Sequence, residues 1–184
     1  LLTFTLINIM GSPTQSFQIY GGDTINKVDV NNMKQDKWIY FGSMVSLPEY
    51  KAEQKVEEGK YLDNRKDGMW TKYFPNEKVM SEITFANNRP MGEYKIYYDN
   101  GVLQEAGVWK NNRNTGTFKR NHENGQPQQD FAFNETGKRE GTQKYFHENG
   151  QVAIEGNWAE GKENGELKEY YANGDLKSVK VFNA

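Results

Sequence analysis

The sequence predicts an all-β protein, an elongated single-layer antiparallel meander built from about six β-hairpin repeats of 24 residues. Three observations lead to this prediction. The first is a period of 24 residues in several columns, and the second is an Asn-Gly turn signal in most periods. The third is the alternation of aromatic with polar residues, in a chain where no stretch shows the 3.6-residue period of a helix.

The period appears in three columns of the sequence. A glycine opens the units at Gly68, Gly92, Gly116, Gly141 and Gly165, so the gaps are 24, 24, 25 and 24 residues. The turn column contains Glu77, Gly101, Gly125, Gly150 and Gly174, and the aromatic column contains Tyr61, Phe85, Trp109, Phe133, Trp158 and Phe182. The single 25-residue gap has one extra residue between Phe133 and Gly141, where we expect a loop.

An earlier, divergent unit contains Trp38, which lies 32 residues before Trp70 and indicates an eight-residue insertion at residues 42–49. Because insertions in repeat proteins often lie on a binding face, this segment is a candidate for partner contact. Each unit is expected to form two short strands around its Asn-Gly pair, as a type I′ turn with positive φ at both central residues. The whole chain then contains about twelve strands.

Composition excludes several classes of function. Aromatic residues make up 14% of the chain, which argues against disorder, and a net charge of -2 without a basic block argues against nucleic-acid binding. There is no cysteine, hence no disulfide or thiolate site. No catalytic or nucleotide-binding motif is present, so we expect neither enzyme activity nor a cofactor.

A metal site is not expected either. His122 and His147 occupy equivalent positions of adjacent units, about 10 Å apart, whereas a shared zinc ion requires both ring nitrogens within about 2.1 Å. Both histidines are instead predicted to fill a packed ring column with Phe74, Tyr98 and Tyr171.

The first residues form the only uncharged apolar run. Residues 1–18 are predicted to be a truncated export signal, which would place the protein in the periplasm or at the cell surface. The alternative is a first β-strand in which Leu2, Phe4 and Leu6 alternate with threonines, and a cytoplasmic location remains open with it. Residues 19–58 are then a divergent repeat with its insertion, and residues 59–184 the regular repeats.

Four stretches carry a resemblance to a known family: "GMWTKYFPNE", "GEYKIYYDNG", "GTQKYFHENG" and "GELKEYYANG". They resemble the MORN repeat variant, over roughly residues 34–182. Departures from its pattern are Glu77, Asn121, Pro127, Gln143 and Leu167. The resemblance implies a β-ribbon that serves as a scaffold for binding, and many bacterial relatives are labelled antitoxins.

Alternation of side chains places one candidate site on the face opposite the packed rings. The lysines of this strip are Lys95, Lys119, Lys144 and Lys168, and its rings are Tyr73, Tyr97, Phe146 and Tyr170. The strip could bind an extended acidic or aromatic-rich partner. Alternatively, the lysine stems only cover the ring faces while their ammonium groups stay in water.

We therefore expect a non-enzymatic scaffold that binds a protein partner in the bacterial envelope. An antitoxin that neutralises a toxin by direct binding is the alternative. A ribbon that binds a glycan or a lipid surface through the strip is a third possibility.

Overall fold

A computed structural model describes residues 3–7 and 15–183 of the chain. Its strands are β1 (Thr3–Ile7), β2 (Gln15–Tyr20), β3 (Asp23–Val28), β4 (Lys34–Phe41), β5 (Lys55–Leu62), β6 (Arg65–Tyr73), β7 (Val79–Ala86), β8 (Arg89–Tyr97), β9 (Leu103–Lys110), β10 (Arg113–Asn121), β11 (Pro127–Phe133), β12 (Gly141–Phe146), β13 (Val152–Ala159), β14 (Lys162–Tyr170) and β15 (Leu176–Phe182). One 3-10 turn, Gly42–Met44, is the only helical element of the described residues.

The chain forms two compact units, Leu1–Pro90 and Met91–Ala184. In the first unit, β1 to β7 pair successively with their chain neighbours, and every pair is antiparallel. In the second unit, β8 to β15 follow the same rule. The predicted fold class, an all-β antiparallel meander of hairpin repeats, is confirmed.

The predicted number of strands was too low. Six hairpins correspond to the predicted repeats, and they run from β4–β5 to β14–β15 in steps of two strands. The described part of the chain contains three further strands, since β1, β2 and β3 precede the first repeat. Thus part of the predicted export segment lies in β1 and β2, and its remaining residues lie outside the described ones. The export signal itself stays a prediction.

The prediction of type I′ turns at Asn-Gly was wrong. In the loop after β8, only Gly101 has a positive φ, of 92°, and its N–H donates to the carbonyl oxygen of Tyr98. This is a three-residue loop that ends in a left-handed glycine. The Oδ1 atom of Asn100 accepts from the N–H of Val102 at 2.8 Å, which holds the asparagine in the turn without a positive φ.

Type I′ geometry occurs in the other loop of the repeat, which joins one hairpin to the next. Both central residues have positive φ in the pairs Asp63–Asn64, Asn87–Asn88, Asn111–Asn112 and Glu160–Gly161. The 25-residue gap lies in this same loop, as predicted. There the extra residue converts the two-residue turn into a longer one, in which Gly137 donates to the carbonyl oxygen of Asn134.

One face of the first unit, called the ring face, carries the buried aromatic cluster of Trp38, Tyr61 and Trp70. The Trp70 ring lies against Gly59 of the neighbouring strand so closely that a Cβ atom there would be 2.3 Å from Cδ2 of the ring. The Nε1–H of Trp70 donates to the carbonyl oxygen of Lys60 at 3.0 Å, and the ammonium of Lys66 lies 4.0 Å from the ring centroid. Glycine below and lysine above therefore leave Trp70 only 2% exposed.

The ring face of the second unit is filled mainly by Tyr94, Phe118, Phe131 and Trp158. Gln143, at the repeat position of Trp70, is fully buried, and its Nε2 donates to the carbonyl oxygen of Ala132 at 2.9 Å. Ala132 occupies the repeat position of Lys60. The glutamine thus keeps the side-chain donor that the tryptophan supplies elsewhere, while its buried Oε1 accepts no hydrogen bond from the described residues.

Polar ring atoms connect consecutive repeats within each unit. The hydroxyl of Tyr98 donates to the carbonyl oxygen of Asn121 at 3.0 Å, and Nε2 of His147 makes the equivalent contact with Tyr170 at 3.0 Å. Because a carbonyl oxygen can only accept, the His147 ring carries its proton on Nε2. His147 therefore occupies the predicted ring column and makes the same cross-repeat contact as a tyrosine.

Candidate functional site

Four predicted lysines lie in one row across the second unit, on the surface that we call the lysine face. Residues directly opposite each other in an antiparallel pair lie on the same face of the sheet. The row runs through Lys95, Ala106, Lys119, Asp130, Lys144, Glu155, Lys168 and Val179, each paired with the next. Sequence reasoning placed the lysines correctly but did not place Asp130 and Glu155 between them.

The interleaved acids change the electrostatics of this row. The ammonium of Lys144 lies 3.1 Å from the Glu155 carboxylate, and that of Lys119 lies 3.9 Å from the Asp130 carboxylate. Lys168 pairs with Glu166 at 3.0 Å, and this hydrogen bond raises the pKa of Lys168. From Lys119 to Lys168 the row alternates in sign. The candidate site is therefore less basic than its lysines alone indicated.

An apolar row lies beside the charged one, two residues after it on β8, β10, β12 and β14 and three residues before it on β9, β11, β13 and β15. It contains the paired residues Tyr97 and Leu103, Asn121 and Pro127, Phe146 and Val152, and Tyr170 and Leu176. Tyr97, Phe146 and Tyr170 are half-buried, whereas Leu176 is 55% exposed. The lysine face thus offers charges of both signs next to apolar surface.

The salt bridges show where the ammonium groups of three of these lysines lie, and both interpretations of the strip stay predictions. The ammonium groups of Lys119, Lys144 and Lys168 lie next to carboxylates. On the ring faces, Lys34 lies 4.6 Å from the Trp38 centroid and Arg139 lies 4.5 Å from that of Phe131. On the opposite face of the first unit, the ammonium of Lys55 lies 5.8 Å from the Tyr20 centroid, so cations lie over rings on both faces.

Tyr73, the remaining strip residue, lies in the first unit. Its hydroxyl donates to Oε1 of Glu58, and Lys55 donates to the other carboxylate oxygen at 3.0 Å. Partial burial raises the pKa of Glu58, but the hydrogen bonds from Tyr73 and Lys55 and the charge of Lys55 outweigh it, so the pKa lies below its ordinary value. Burial, together with Glu58, raises the pKa of the Tyr73 hydroxyl.

The predicted insertion, residues 42–49, is hydrogen-bonded to the turn that follows it. The N–H of Gly42 donates to the carbonyl oxygen of Gln54 at 2.9 Å, and that of Ser43 donates to Ala52 at 3.0 Å. The Tyr50 hydroxyl donates to the carbonyl oxygen of Tyr73 at 2.7 Å. The insertion thus holds the Tyr50–Gln54 segment against β6, the strand that ends in Tyr73.

The described residues contain neither a metal-binding cluster nor a membrane-spanning helix. No three His, Asp or Glu side chains of residues 3–7 and 15–183 are grouped so that they could hold a metal ion. Nor does that part of the chain include a helix with the length and apolar character needed to cross a membrane.

The repeat geometry agrees with the comparison with known families. A sequence model of the MORN repeat variant matches residues 66–87, 92–111, 139–160 and 163–184. This chain belongs to the MORN repeat variant family. Proteins with MORN repeats are often scaffolds that bind proteins or membranes, and they are generally not enzymes. No curated protein gives a significant match to the sequence.

Two of the six hairpins lie outside the matched MORN segments. They are β4–β5, which carries the insertion, and β10–β11, which contains Asn121 and Pro127. Both hairpins keep the antiparallel pairing of the other repeats. In each, the pairing register shifts by one residue at the same repeat position, between Tyr40 and Phe41 in the first hairpin and between Arg120 and Asn121 in the second. The predicted repeat architecture therefore extends beyond the segments in which the sequence pattern is strong.

Proposed function

We propose that this MORN-variant protein is a non-enzymatic scaffold that binds a protein partner through the lysine face of its second unit, in the bacterial cell envelope. The observation that supports the proposal is the charged row of alternating sign that lies directly beside an apolar row. Protein surfaces carry both charges and apolar groups, and electrostatic complementarity determines which surfaces fit together.

The same row is a poor match for a polyanionic surface. Attraction to an anionic membrane rises with each added Lys or Arg, and here Asp130 and Glu155 lie between the lysines. Glycan binding by stacking requires accessible ring faces, whereas Tyr97, Phe146 and Tyr170 are half-buried in the apolar row. A protein partner therefore fits this face better than the lipid or glycan alternatives.

The test is site-specific photo-crosslinking in cells that express the full protein. A photoreactive residue in place of Thr142, which is exposed on the lysine face, should give a discrete crosslinked partner. The same residue in place of Lys180, exposed on the ring face, is the matched control and should not. Crosslinking of equal strength at both positions contradicts the choice of face.

A charge-order variant tests the electrostatic part of the proposal. The double change Lys144→Glu with Glu155→Lys keeps the net charge and the salt bridge but reverses the order of signs. We expect this variant to abolish the crosslink from Thr142. A second variant should do the same, in which four lysines are changed together to Glu: Lys95, Lys119, Lys144 and Lys168. A crosslink that survives both changes rules out recognition by this row.

The identity of the crosslinked partner tests the remaining part of the proposal. An envelope protein, found together with the chain in the envelope fraction, supports the scaffold. If the partner is a cytoplasmic toxin whose activity the chain suppresses, the scaffold proposal is wrong and the antitoxin alternative is supported. If the protein sediments with anionic liposomes and the lysine variants do not, the scaffold proposal is wrong and binding to a lipid surface is supported.

A further inference from the structure

A cavity of about 260 Å³ opens in the first unit, separate from the lysine face of the second unit. It is lined by Tyr20, Glu53, Gln54, Lys55, Tyr73 and Glu77. These residues come from β2, from the turn after the insertion, from the start of β5, and from the end of β6 with its following loop. Its size suits the end of one long side chain, because pockets that bury whole drug-sized ligands measure about 300–1,000 Å³.

Two carboxylates at this cavity have no cationic partner. Within residues 3–7 and 15–183, neither Glu53 nor Glu77 forms a salt bridge, and the Glu77 carboxylate accepts a hydrogen bond from Gln54 Nε2 at 3.5 Å. The one cation of the lining, Lys55, is neutralised by Glu58 at 3.0 Å. Both glutamates are exposed, and within the described residues their carboxylates are left without a salt bridge, so the cavity carries negative charge at its rim.

Aromatic rings complete the lining. Tyr20 is 38% exposed and packs at a tilt of 54° on Phe41, with ring centroids 5.2 Å apart, and its ring already has the ammonium of Lys55 at 5.8 Å from the centroid. The Tyr73 ring is half-buried, and its hydroxyl is engaged by Glu58, so the ring is held in place. The negative faces of aromatic rings attract cations, and Arg favours such sites because its planar guanidinium also pairs with carboxylates.

Glu77 occupies a position where the sequence could have used glycine. Its φ is 66°, and the equivalent residues Gly101, Gly125, Gly150 and Gly174 all have positive φ. A residue other than glycine in this left-handed backbone conformation lowers the stability of the fold, and residues strained in this way cluster at functional sites. A carboxylate at this strained position adds negative charge to the cavity, which a glycine cannot do.

We propose that the cavity binds an arginine side chain of a protein partner, with its guanidinium against Tyr20 and Tyr73 and its charge balanced by Glu53 and Glu77. The insertion contributes to the site indirectly, since its hydrogen bonds hold the turn that supplies Glu53 and Gln54. This site lies in the first unit and does not depend on recognition by the lysine face.

The probe for this site is N-acetyl-arginine N-methylamide, added to the isotope-labelled full chain and followed by NMR. The amide signals of Gln54 and Glu77 should shift with a dissociation constant on the order of 10 mM, as expected for a single side chain. N-acetyl-citrulline N-methylamide has nearly the same shape without the charge, and it should shift them at least fivefold less. Equal shifts with both probes, or none with the arginine probe at 100 mM, would overturn the proposal.

The variant Glu77→Gly separates binding from folding. Glycine relieves the strained φ, so the thermal midpoint should rise by about 2–4 °C, while the affinity for the arginine probe should fall at least fivefold. Glu123→Gln, which removes an exposed carboxylate of the second unit, is the control and should leave the affinity unchanged. An unchanged affinity in Glu77→Gly would contradict the site, and because that variant is expected to be more stable, misfolding could not explain a loss.

Discussion

The ring face and the lysine face are built from the same strands, yet they differ in how firmly their side chains are held. On the ring face of the second unit, Phe118 of β10 is 5% exposed, and the ring of Tyr94 lies over the backbone of Gly107. On the lysine face the side chain of Lys119 is 64% exposed, and its nearest carboxylate oxygen is 3.9 Å away. One face is packed against its own backbone, and the other remains open to solvent.

This difference shows how the repeats stabilise themselves. Rings lie over the backbone, glycine provides the room beneath them, and the charged end of a lysine or arginine lies above them. Large aromatic groups bury roughly 150–250 Å² each, so few apolar residues are needed. The opposite face is then free to carry charges whose loss costs little stability, which is the condition for a surface that evolves toward a partner.

The largest expected effect comes from the glycine under Trp70. In Gly59→Ala the new methyl group would lie 2.3 Å from the ring, so the indole must move, and we expect a loss of about 1–3 kcal/mol in the free energy of unfolding. Urea denaturation measures this loss. In the matched variant Gly107→Ala the closest approach, to Tyr94, is 3.0 Å, so its loss should be smaller. Equal losses in the two variants would mean that the distance between the new methyl group and the ring does not determine the loss in the free energy of unfolding.

A smaller effect is expected at Glu58, which is half-buried on the face opposite the rings. Its folded pKa lies below the ordinary value of 4.5, so its contribution to stability is present above about pH 4.5 and is lost as the pH falls through the folded pKa. Glu58→Gln should cost about 1 kcal/mol at pH 7 and should flatten the loss of stability in acid. Urea midpoints measured from pH 2 to pH 7 test this; parallel curves for the two proteins would contradict it.

The smallest effect is expected on the lysine face. Lys144 and Glu155 are 38% and 36% exposed, and salt bridges of this kind contribute about 0–1 kcal/mol. The double change Lys144→Glu with Glu155→Lys should therefore alter the free energy of unfolding by less than about 1 kcal/mol, while it abolishes partner capture. A loss as large as that of Gly59→Ala would show that the charged row stabilises the fold, and the contrast between the two faces would fail.

Several features were predictable because a hairpin repeat makes local demands on its sequence. The period located the strands, and strict alternation placed Lys119, Lys144 and Lys168 in one row. The extra residue before Gly141 could only be accommodated in a loop, since inside a strand it would have turned every following side chain to the other face. These inferences need no knowledge of what each side chain touches.

The turns show where local inference failed. Both Asn-Gly and Asn-Asn suit a two-residue turn, and only the structure shows that Asn87 and Asn88 adopt it while Asn100 does not. The second bond of Asn100, from Nδ2 to the carbonyl oxygen of Glu123 at 3.1 Å, reaches a residue one repeat away. The conformation of an asparagine therefore depends on contacts that its neighbours in the sequence do not reveal.

The sequence by itself determined the repeat, its length, its hairpin character and the family, because these follow from periodic placement of glycine, asparagine and aromatic residues. Only the tertiary structure decided which charges meet and where a cavity opens. Asp130 lies between two lysines because it pairs with strands on both sides, and Glu53 reaches the cavity because the insertion holds its turn. Such contacts join residues far apart in the chain, and no local pattern encodes them.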